Sequence, residues 1–509
     1  MSKLESLDDQ FYEEVKFVNN SQVERRDCDV VIIGGGGSGT VAAVRAVERG
    51  AKKVIVLEKS GRAGGNAWMA VGMFATNAAM QRNAGLKDRS DEVFKMAMDH
   101  MEWAAEPKIV RKYIKNSGTF VDWLVNKGMV FKMDNTHPTP MMLMPQRQSP
   151  HNGKDPSHGP GFVGSSVVET MVKEFDKLGI ELLVKTKATK LLTDKSGNVS
   201  GVVAAGQERE IHINAKAVVI ASGGFGANKE MLKEFFPEFF NIDGDMARLC
   251  LGHSTGDGIT MARAIGAQTG DYNGIQLGGP CHHPWSFSVH NSLIRPESIW
   301  INKKGERFVD ETVSFRGFHA MGKQPGAITY GIYDAATRDY VIEKFKEDPR
   351  SQHEIEYMLS LKEDLEKEND GRRVFIADSL EQLAVALGVE GEALKKTVER
   401  YNSFCETGYD ADFLKNKEFL RPIVRAPFYA ILGHRFYDTT HGGLKINENF
   451  EVISTKGNAI PGLYAVGDIA SGWITQNYAP GAASLSWCFN SGYMVGEEAA
   501  RYALLRPKG

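Results

Sequence analysis

The sequence has few cysteines, no long hydrophobic run and no surplus of either charge, and each absence excludes a class of protein. Its five cysteines (Cys28, Cys250, Cys281, Cys405 and Cys488) never form a C-x-x-C pair, which argues against a disulfide framework or a zinc site. No run of 18 apolar residues occurs, so no transmembrane helix is predicted. The 61 basic and 64 acidic side chains lack the basic surplus typical of nucleic-acid binding. Scattered thiols and an acidic, polar beginning without a signal peptide favour a cytoplasmic protein.

Glycine, by contrast, is over-represented. The chain has 53 glycines among 509 residues, about one in ten against a usual value of about 7%. No G-X-Y period accompanies them and the 18 prolines are few, which excludes collagen and a low-complexity chain. The glycines are therefore required at particular places, in a chain long enough for two or three domains.

Three short apolar segments that end in glycine predict buried strands. They are DVVIIGGGGSG at 29–39, AKAVVIASGGFG at 215–226 and GNAIPGLYAVGD at 457–468. Their wide spacing indicates one domain built from discontinuous segments, interrupted by a more charged insertion. The predicted division is an N-terminal arm over 1–27, a first domain over 28–240 and 435–509, and an inserted domain over 241–434.

The first strand leads into a phosphate-binding motif. Gly34, Gly36 and Gly39 form G-x-G-x-x-G between a buried strand and an amphipathic, Ala-rich helix. The first glycine permits a tight turn, the second lets a pyrophosphate approach the backbone, and the third lets helix and strand pack closely. Glu58 ends the second strand, 19 residues after Gly39, where a carboxylate accepts hydrogen bonds from a ribose diol. A purely structural glycine turn would leave Glu58 unexplained, so the pattern predicts dinucleotide binding.

Two later features favour FAD over a nicotinamide dinucleotide. The segment Gly64-Gly65-Asn66-Ala67 follows the second strand directly, and Gly467-Asp468 ends a strand near the C-terminus. A nicotinamide domain has no need of that late strand, whereas a long flavin cofactor running through the domain does.

Six motifs, in order, resemble the fumarate reductase and ketosteroid dehydrogenase group of flavoproteins. They are DVVIIGGGGSG, EKSGRAGGNA, GGFGANKEML, STGDGITMARAIGA, INKKGERFVDE and GLYAVGDIASG, and the match extends from about residue 28 to about residue 500. The resemblance implies an α/β fold, with a Rossmann-like FAD-binding domain built from discontinuous segments and an inserted α+β capping domain. It also implies hydride transfer between flavin N5 and a carbon–carbon bond beside a carbonyl or carboxylate.

The resemblance assigns cofactor roles to individual residues. Glu58 would bind the adenosine ribose and Asp468 the ribityl chain. Asn66 stands where membrane-bound fumarate reductases carry the histidine that links FAD, so non-covalent FAD is expected. The implied cofactor-binding residues are Gly34, Gly36, Gly37, Ser38, Gly39, Glu58, Lys59, Gly64, Gly65, Asn66, Ala67, Gly72, Ala221, Ser222, Gly223, Asp257, His441, Gly442, Gly467, Asp468, Ala483, Ser484 and Leu485.

The substrate positions depart from the fumarate reductase pattern. Gly278, Thr439 and Tyr478 occupy positions at which those enzymes bind carboxylates with two histidines and an arginine. Arginine and histidine suit carboxylates because they donate charge-assisted hydrogen bonds. Fumarate is therefore not the expected substrate.

Tyr478 instead matches the ketosteroid dehydrogenases, in which a tyrosine O–H and a backbone N–H four residues on polarise a ketone. Here the N–H would belong to Ala482, and the two donors would stabilise an enolate. The alternative for Tyr478 is a buried aromatic residue whose hydroxyl is satisfied. His283 and Trp285 are further residues expected to line the substrate pocket. Adjacent histidines 282 and 283 do not predict a metal site, because two neighbours alone do not converge on one ion.

The expected proton donor is Arg316, shortly after the G-E-R-F-V-x-E segment, by resemblance to fumarate reductases. Arginine has a pKa above about 12 and is a poor acid unless a relay feeds it a proton. Arg295 occupies one relay position, whereas Ser292 stands where the relay has a glutamate. The alternative is that Arg316 pairs with a surface carboxylate.

These features predict an enzyme that reduces a C=C bond in a neutral enone, such as a 3-keto-4-ene steroid or bile-acid intermediate. Three alternatives stay open: ketosteroid-type dehydrogenation, reduction of an acrylate-type monocarboxylate, and a non-catalytic flavin-binding protein. The chain lacks haem-attachment and iron–sulfur cysteine patterns. The expected partners are therefore a small-molecule substrate and an electron donor, which could be a protein, a reduced flavin or NAD(P)H.

Overall fold

The computed structural model describes residues 23–70, 72–133, 142–145, 163–207, 209–240, 246–250, 252–270, 273–282, 287–313, 316–347, 358–476 and 482–506. Within them the chain forms two compact units. The first contains the described residues up to 235 together with 250–276 and 439–506, and the second contains 236–249 and 277–438. The sequence boundary assigned 250–276 to the insertion, and the structure places this segment in the first unit. Tyr478, His283 and Trp285 lie outside the described residues.

The strands and helices are numbered in chain order. The strands are β1 Val23–Ile33, β2 Val54–Leu57, β3 Met73–Phe74, β4 Phe131–Met133, β5 Met142–Pro145, β6 Glu181–Leu183, β7 Lys187–Thr193, β8 Val199–Ala205, β9 Glu210–Ile220, β10 Met246–Arg248, β11 Gly274–Cys281, β12 Ile299–Ile301, β13 Ile328–Asp334, β14 Val374–Ala377, β15 Phe428–His441, β16 Glu451–Ile453 and β17 Ala459–Ala465. The helices are α1 Gly37–Glu48, α2 Ala79–Asn83, α3 Ser90–His100, α4 Pro107–Asn126, α5 Val163–Leu178, α6 Lys229–Phe235, α7 Pro237–Phe240, α8 Asp257–Arg263, α9 Phe287–Ile294, α10 Phe318–Gly322, α11 Ala335–Glu347, α12 Leu361–Glu368, α13 Leu380–Leu387, α14 Gly391–Thr407 and α15 Ala483–Leu505.

An eight-stranded sheet forms the centre of the first unit. Its main order is β16-β17-β9-β1-β2-β6, with β8 also pairing with β9 and β7 pairing with β8. The three glycine-ended strands, β1, β9 and β17, are adjacent and parallel, and β2 is parallel to β1 on the other side. The carboxyl ends of parallel strands meet at one edge of a sheet, which is where α/β proteins bind ligands. The discontinuous Rossmann-like domain expected from the sequence is confirmed.

The first strand is longer than the sequence predicted. β1 begins at Val23 and pairs in register with β9, from Val23 opposite Glu210 to Ile33 opposite Ile220. Residues 23–27, assigned to the N-terminal arm, are therefore part of the sheet. Their polar side chains alternate between exposed and partly buried, a pattern in which backbone pairing rather than apolar burial forms the strand.

The second unit contains a six-stranded sheet with helices on both faces. Its order is β10-β15-β13-β12, and β11 and β14 also pair with β15. Successive residues of one strand point to opposite faces, and Ala430 and Ile431 accordingly belong to two different apolar clusters. Helices α13 and α14 pack on one face, and helices α9, α11 and α12 pack on the other. This arrangement confirms the α+β insertion.

To cross a bilayer, a helix of the described ranges would have to be both long and apolar. None of these helices is long and apolar enough to cross a membrane.

Candidate functional site

A cavity open to solvent, with about 870 Å³ of space including its mouth, lies at the carboxyl ends of β1, β2 and β9. Its lining includes fifteen of the residues that the sequence analysis assigned to the cofactor: Gly34, Gly36, Gly37, Ser38, Glu58, Lys59, Gly64, Gly65, Asn66, Ala67, Ala221, Ser222, Gly223, Asp257 and Asp468. The remaining assigned residues, Gly39, Gly72, His441, Gly442, Gly467, Ala483, Ser484 and Leu485, are not part of the lining. The motifs of segments far apart in the chain thus meet at one cavity.

The glycines of the first turn have different physical tasks. A Cβ at Gly34 would lie 2.4 Å from the carbonyl oxygen of Ala221, and one at Gly39 would lie 1.9 Å from the carbonyl oxygen of Gly34. Those two glycines allow the turn, the helix and the neighbouring strand to pack together. A Cβ at Gly36 would meet only the carbonyl oxygen of Gly64, at 3.7 Å. Gly36 therefore leaves open a space beside the backbone that a pyrophosphate can use.

Glu58 is held with its carboxylate beside this turn. Its Oε2 accepts a hydrogen bond from the N–H of Gly35, and its Oε1 accepts one from the N–H of Ser60, both at 2.8 Å. Each carboxylate oxygen can accept a further hydrogen bond, because an ionised carboxylate has about four lone-pair sites. The buried Glu58 is therefore fixed in place and still able to bind a ribose diol.

Three charged side chains, Lys59, Lys187 and Asp257, line the same cavity. Nζ of Lys59 is 2.6 Å from Oδ2 of Asp257, and Nζ of Lys187 is 3.2 Å from Oδ1. Burial alone would raise the pKa of Asp257, but the two ammonium groups outweigh burial and hold this pKa below its usual value. The hydroxyl oxygen of Ser222 is buried in the lining and has no hydrogen-bond partner among the described residues. A ligand with phosphate or ribityl oxygens would supply the missing hydrogen-bond partner of this hydroxyl.

Asp468 is supported by the end of β15 and by Gly442, the residue that follows it. Oγ1 of Thr439 donates to its Oδ2 at 2.9 Å, and Nδ1 of His441 lies 3.2 Å from its Oδ1. The N–H of Gly442 donates to the backbone oxygen of Asp468 at 2.7 Å. His441 also contacts the ring of Trp473 edge-on at 5.0 Å. His441 and Gly442 are thus placed behind Asp468 rather than in the lining.

Nine lining residues were not predicted from the sequence: Ile33, Leu57, Ser60, Thr186, Lys187, Ala188, His253, Ser254 and Cys488. Two of them, Lys187 and Cys488, show how distant segments contribute to the cavity. Lys187 begins β7, and Cys488 lies in the first turns of α15. Sγ of Cys488 is 3.2 Å from Oγ of Ser38, although the two residues are 450 positions apart. Burial raises the pKa of the Cys488 thiol to about 12. The sequence held no signal for either contact, because neither residue belongs to a local motif.

The expected oxyanion donor lies at the start of the last helix. Ala482 has φ of +60° and immediately precedes α15. A non-glycine residue in the left-handed region costs of order 1 kcal/mol, so the surrounding structure imposes this turn. Tyr478, whose hydroxyl is predicted to bind the same carbonyl oxygen as the Ala482 N–H, falls outside the described residues.

The expected proton donor and its relay are not joined in the structure. The side chain of Arg316 is exposed, and its backbone bridges that of Gly279. Arg295 pairs with the buried carboxylate of Glu297 at 3.1 Å, and Ser292 accepts a hydrogen bond from Tyr333 at 2.9 Å. Among the described residues, no contact connects either one to Arg316.

Binding a metal ion requires several side-chain ligands that converge on one point. The described part of the chain contains no group of three or more histidine, cysteine, aspartate or glutamate side chains that could hold an ion. His282 instead pairs with Glu368, with 2.6 Å between Nε2 and Oε2.

Comparison with known proteins places this site in a family. The model of the FAD binding domain family matches residues 29–485, and the chain belongs to that family. Among its relatives is the vinyl phenol reductase of Lactiplantibacillus plantarum, 29% identical over 93% of this chain and 96% of that protein. The cytochrome fumarate reductase of Shewanella frigidimarina is 31% identical over 93% of this chain and 77% of that protein. The urocanate reductase of Eggerthella lenta is 30% identical over 94% and 75%, respectively.

Solved structures share the fold. A flavocytochrome c3 fumarate reductase in its open conformation superposes with a TM-score of 0.77 at 24% identity, over 94% of this chain and 79% of that one. The 3-ketosteroid-Δ4-(5α)-dehydrogenase of Rhodococcus jostii superposes with a TM-score of 0.69 at 24% identity, over 95% and 100%. The resemblance to fumarate reductases is confirmed, and the resemblance to ketosteroid dehydrogenases is confirmed at the level of the fold. The protein is a FAD-dependent oxidoreductase.

Proposed function

We propose that this oxidoreductase reduces a carbon–carbon double bond conjugated to a neutral electron-withdrawing group, such as the enone of a 3-keto-4-ene steroid or bile-acid intermediate. The relatives support the reaction class, since they are named as reductases of vinyl phenol, fumarate and urocanate, all of which contain a C=C bond. When bound, FAD supplies the hydride from its N5 position.

Thr439 is the main evidence that the substrate is neutral. It stands where fumarate reductases have a carboxylate-binding histidine, and its hydroxyl already donates to Asp468 at 2.9 Å. Gly278, at a second carboxylate-binding position, is buried in β11 and has no side chain. Neither residue supplies the cationic donor that a substrate carboxylate requires.

Tyr478 and Ala482 are the proposed carbonyl-binding pair. A hydroxyl donor and the backbone N–H of Ala482 would stabilise the charge that develops on the carbonyl oxygen as the β-carbon receives hydride. The left-handed turn at Ala482 supports this role, because it sets the direction of the backbone just before α15.

Arg316 is the proposed proton donor to the α-carbon. Its side chain is exposed and makes no ion pair within the described ranges, so it is not committed to a structural carboxylate there. Because Arg295 and Ser292 bind other groups, the proton that replenishes Arg316 would come from solvent rather than through them.

A vinyl phenol is the second candidate substrate. The relative named for it matches this chain over nearly the whole length of both proteins, and a vinyl phenol is also neutral. Dehydrogenation of a saturated ketone and reduction of an acrylate-type monocarboxylate are the remaining alternatives, and the same experiment separates all four.

The deciding experiment is an anaerobic acceptor screen. The protein is reduced with dithionite without excess reductant, mixed with a 3-keto-4-ene steroid, a vinyl phenol, an acrylate or fumarate, and followed by the return of flavin absorbance. Reoxidation by a neutral acceptor and none by fumarate is expected. Fastest reoxidation by fumarate or acrylate would refute a neutral substrate. Reduction of the oxidised protein by a saturated ketone would establish dehydrogenation, and no reaction in any arm would favour a non-catalytic protein.

We further propose that FAD is bound non-covalently in a cytoplasmic protein. Asn66 lines the cavity at the position of the linking histidine, and an amide does not form that bond. Release of all flavin into the supernatant after acid precipitation is the expected result.

NADH, reduced free flavin and reduced electron-transfer proteins, tested one at a time, would identify the electron donor.

A further inference from the structure

Four charged side chains are buried together in the second unit. Glu311 and Lys415 have fully buried side chains, and Nζ of Lys415 lies 3.0 Å from Oε2 of Glu311. Arg307 donates from Nε to Oε1 of Glu311 at 3.0 Å and from Nη2 to Oε2 at 2.9 Å. Its Nη2 also contacts Oδ2 of Asp410 at 3.0 Å. Two positive and two negative charges therefore balance inside an apolar core.

Overall stability alone does not account for such a cluster. Removing charges from water is costly, and well-packed apolar side chains often stabilise a core as well as an ion pair does. A buried ion network does, however, fix the orientation of the backbone that its members carry.

Glu311 holds the segment that leads to Arg316. Its Oε1 accepts a hydrogen bond from the N–H of Trp300 at 3.0 Å, and the single helical turn Glu311–Val313 begins at Glu311 itself. The carbonyl of Val313 then accepts a hydrogen bond from the N–H of Arg316 at 3.0 Å. The exposed guanidinium thus follows a turn whose first residue is locked into the core.

The other side of Arg316 is held by close packing. A Cβ at Gly317 would lie 2.6 Å from the carbonyl oxygen of Gly279 and 3.0 Å from the ring of Trp300. Lys415 completes the arrangement, since its Nζ also donates to the carbonyl of Ser298 at 2.8 Å, next to β12. Backbone contacts at 311–313 and at Gly317 therefore flank Arg316, whose side chain is exposed.

We propose that Glu311 and Lys415 are positioning residues for Arg316, holding its guanidinium where the substrate α-carbon is protonated. This inference rests on the proposed function, in which Arg316 is the proton donor. A donor must lie within hydrogen-bond reach of the atom that it protonates, and a displacement of about 1 Å can cost about a hundredfold in rate.

The test compares two buried carboxylates that are each replaced by the isosteric amide. Glu311→Gln should slow reoxidation of the dithionite-reduced protein by its acceptor about tenfold to hundredfold, with FAD content and the rate of flavin reduction unchanged. Asp334→Asn is the matched control. Asp334 is equally buried in the second unit and binds the N–H groups of Val424 and Arg425, away from the Arg316 segment. It should lower the melting temperature without slowing reoxidation.

A double-mutant cycle separates positioning from general damage. In an Arg316→Ala background, Glu311→Gln should cause no additional slowing. Equal slowing in both backgrounds would overturn the positioning role. Unchanged reoxidation in Arg316→Ala itself would instead refute Arg316 as the donor, and the positioning proposal with it, while leaving the substrate assignment to the acceptor screen. Should Glu311→Gln not fold, Asp410→Asn replaces it in the same cycle with the same criteria, a several-fold slowing being expected.

Discussion

The N–H of Gly35 donates to the Oε2 atom of Glu58 across 2.8 Å, so the glycine-rich turn is joined directly to the acid that is predicted to bind ribose. A Cβ at Gly35 would lie 3.1 Å from Cβ of Glu58, which shows how closely the ends of β1 and β2 approach. Cofactor binding at this edge is therefore expected to depend on the carboxylate itself as well as on the fold.

Glu58→Gln should weaken FAD binding about tenfold to a hundredfold. The change removes an acceptor oxygen and the charge that strengthens its hydrogen bonds, which are worth about 1.5–3 kcal/mol. Titration of apoprotein with FAD, followed by flavin fluorescence, gives the dissociation constant. The exposed helix residue Glu92, changed to Gln, serves as control and should leave it unaltered. Equal affinity in the Glu58 variant would show that this carboxylate does not bind the cofactor.

Gly36→Ala should separate folding from cofactor binding. Gly36 has φ of −77°, which alanine adopts readily. The added Cβ would lie 3.7 Å from the carbonyl oxygen of Gly64, an ordinary van der Waals distance. The apoprotein should keep its stability to within about 0.5 kcal/mol. FAD affinity should fall about tenfold to a hundredfold, because the methyl group occupies the pyrophosphate space at an overpacking cost of about 1–3 kcal/mol.

Gly39→Ala is the matched comparison for that variant. Its Cβ would lie 1.9 Å from the carbonyl oxygen of Gly34, so the apoprotein itself should be destabilised. Thermal melts of both apoproteins and FAD titrations of the folded ones provide the check. Unchanged FAD affinity in Gly36→Ala would show that the pyrophosphate does not bind beside Gly36.

Tyr478→Phe should reduce enone turnover about a hundredfold to a thousandfold, the usual cost of losing one oxyanion donor. FAD content should stay at the wild-type level, because the missing hydroxyl is assigned to substrate. Steady-state rates and the flavin-to-protein absorbance ratio measure both quantities. Tyr409, which is exposed, can be changed to Phe as control. A wild-type rate would remove Tyr478 from the mechanism.

Cys488 should resist alkylation at neutral pH. A pKa raised to about 12 leaves about one thiol in ten thousand ionised at pH 8, and only the thiolate reacts. Labelling by iodoacetamide should be about a thousandfold slower than that of glutathione and should rise about tenfold per pH unit up to pH 10. Peptide mass spectrometry of the apoprotein measures the rate. Labelling at the glutathione rate would show that the thiol is neither buried nor neutral.

Local patterns were sufficient to predict the architecture of the first unit and much of its cofactor cavity. Gly34, Gly36 and Gly39 could be recognised because a phosphate-binding turn requires particular backbone freedom at a fixed spacing. Glu58 and Asp468 could be recognised because each ends or follows a predicted buried strand. The start of β1 could not, because residues 24–27 are polar and become a strand only by pairing with β9.

The sequence by itself thus determined the family and the cofactor, since these depend on residue type and short-range spacing. Only the tertiary structure decided which distant side chains meet. Lys187 reaches Asp257, Cys488 reaches Ser38, and Lys415 reaches Glu311 through contacts between segments that no local pattern connects. The glycine surplus predicts where the cofactor binds because backbone conformation is a local property. The buried charges that orient individual side chains depend on packing, which belongs to the whole fold.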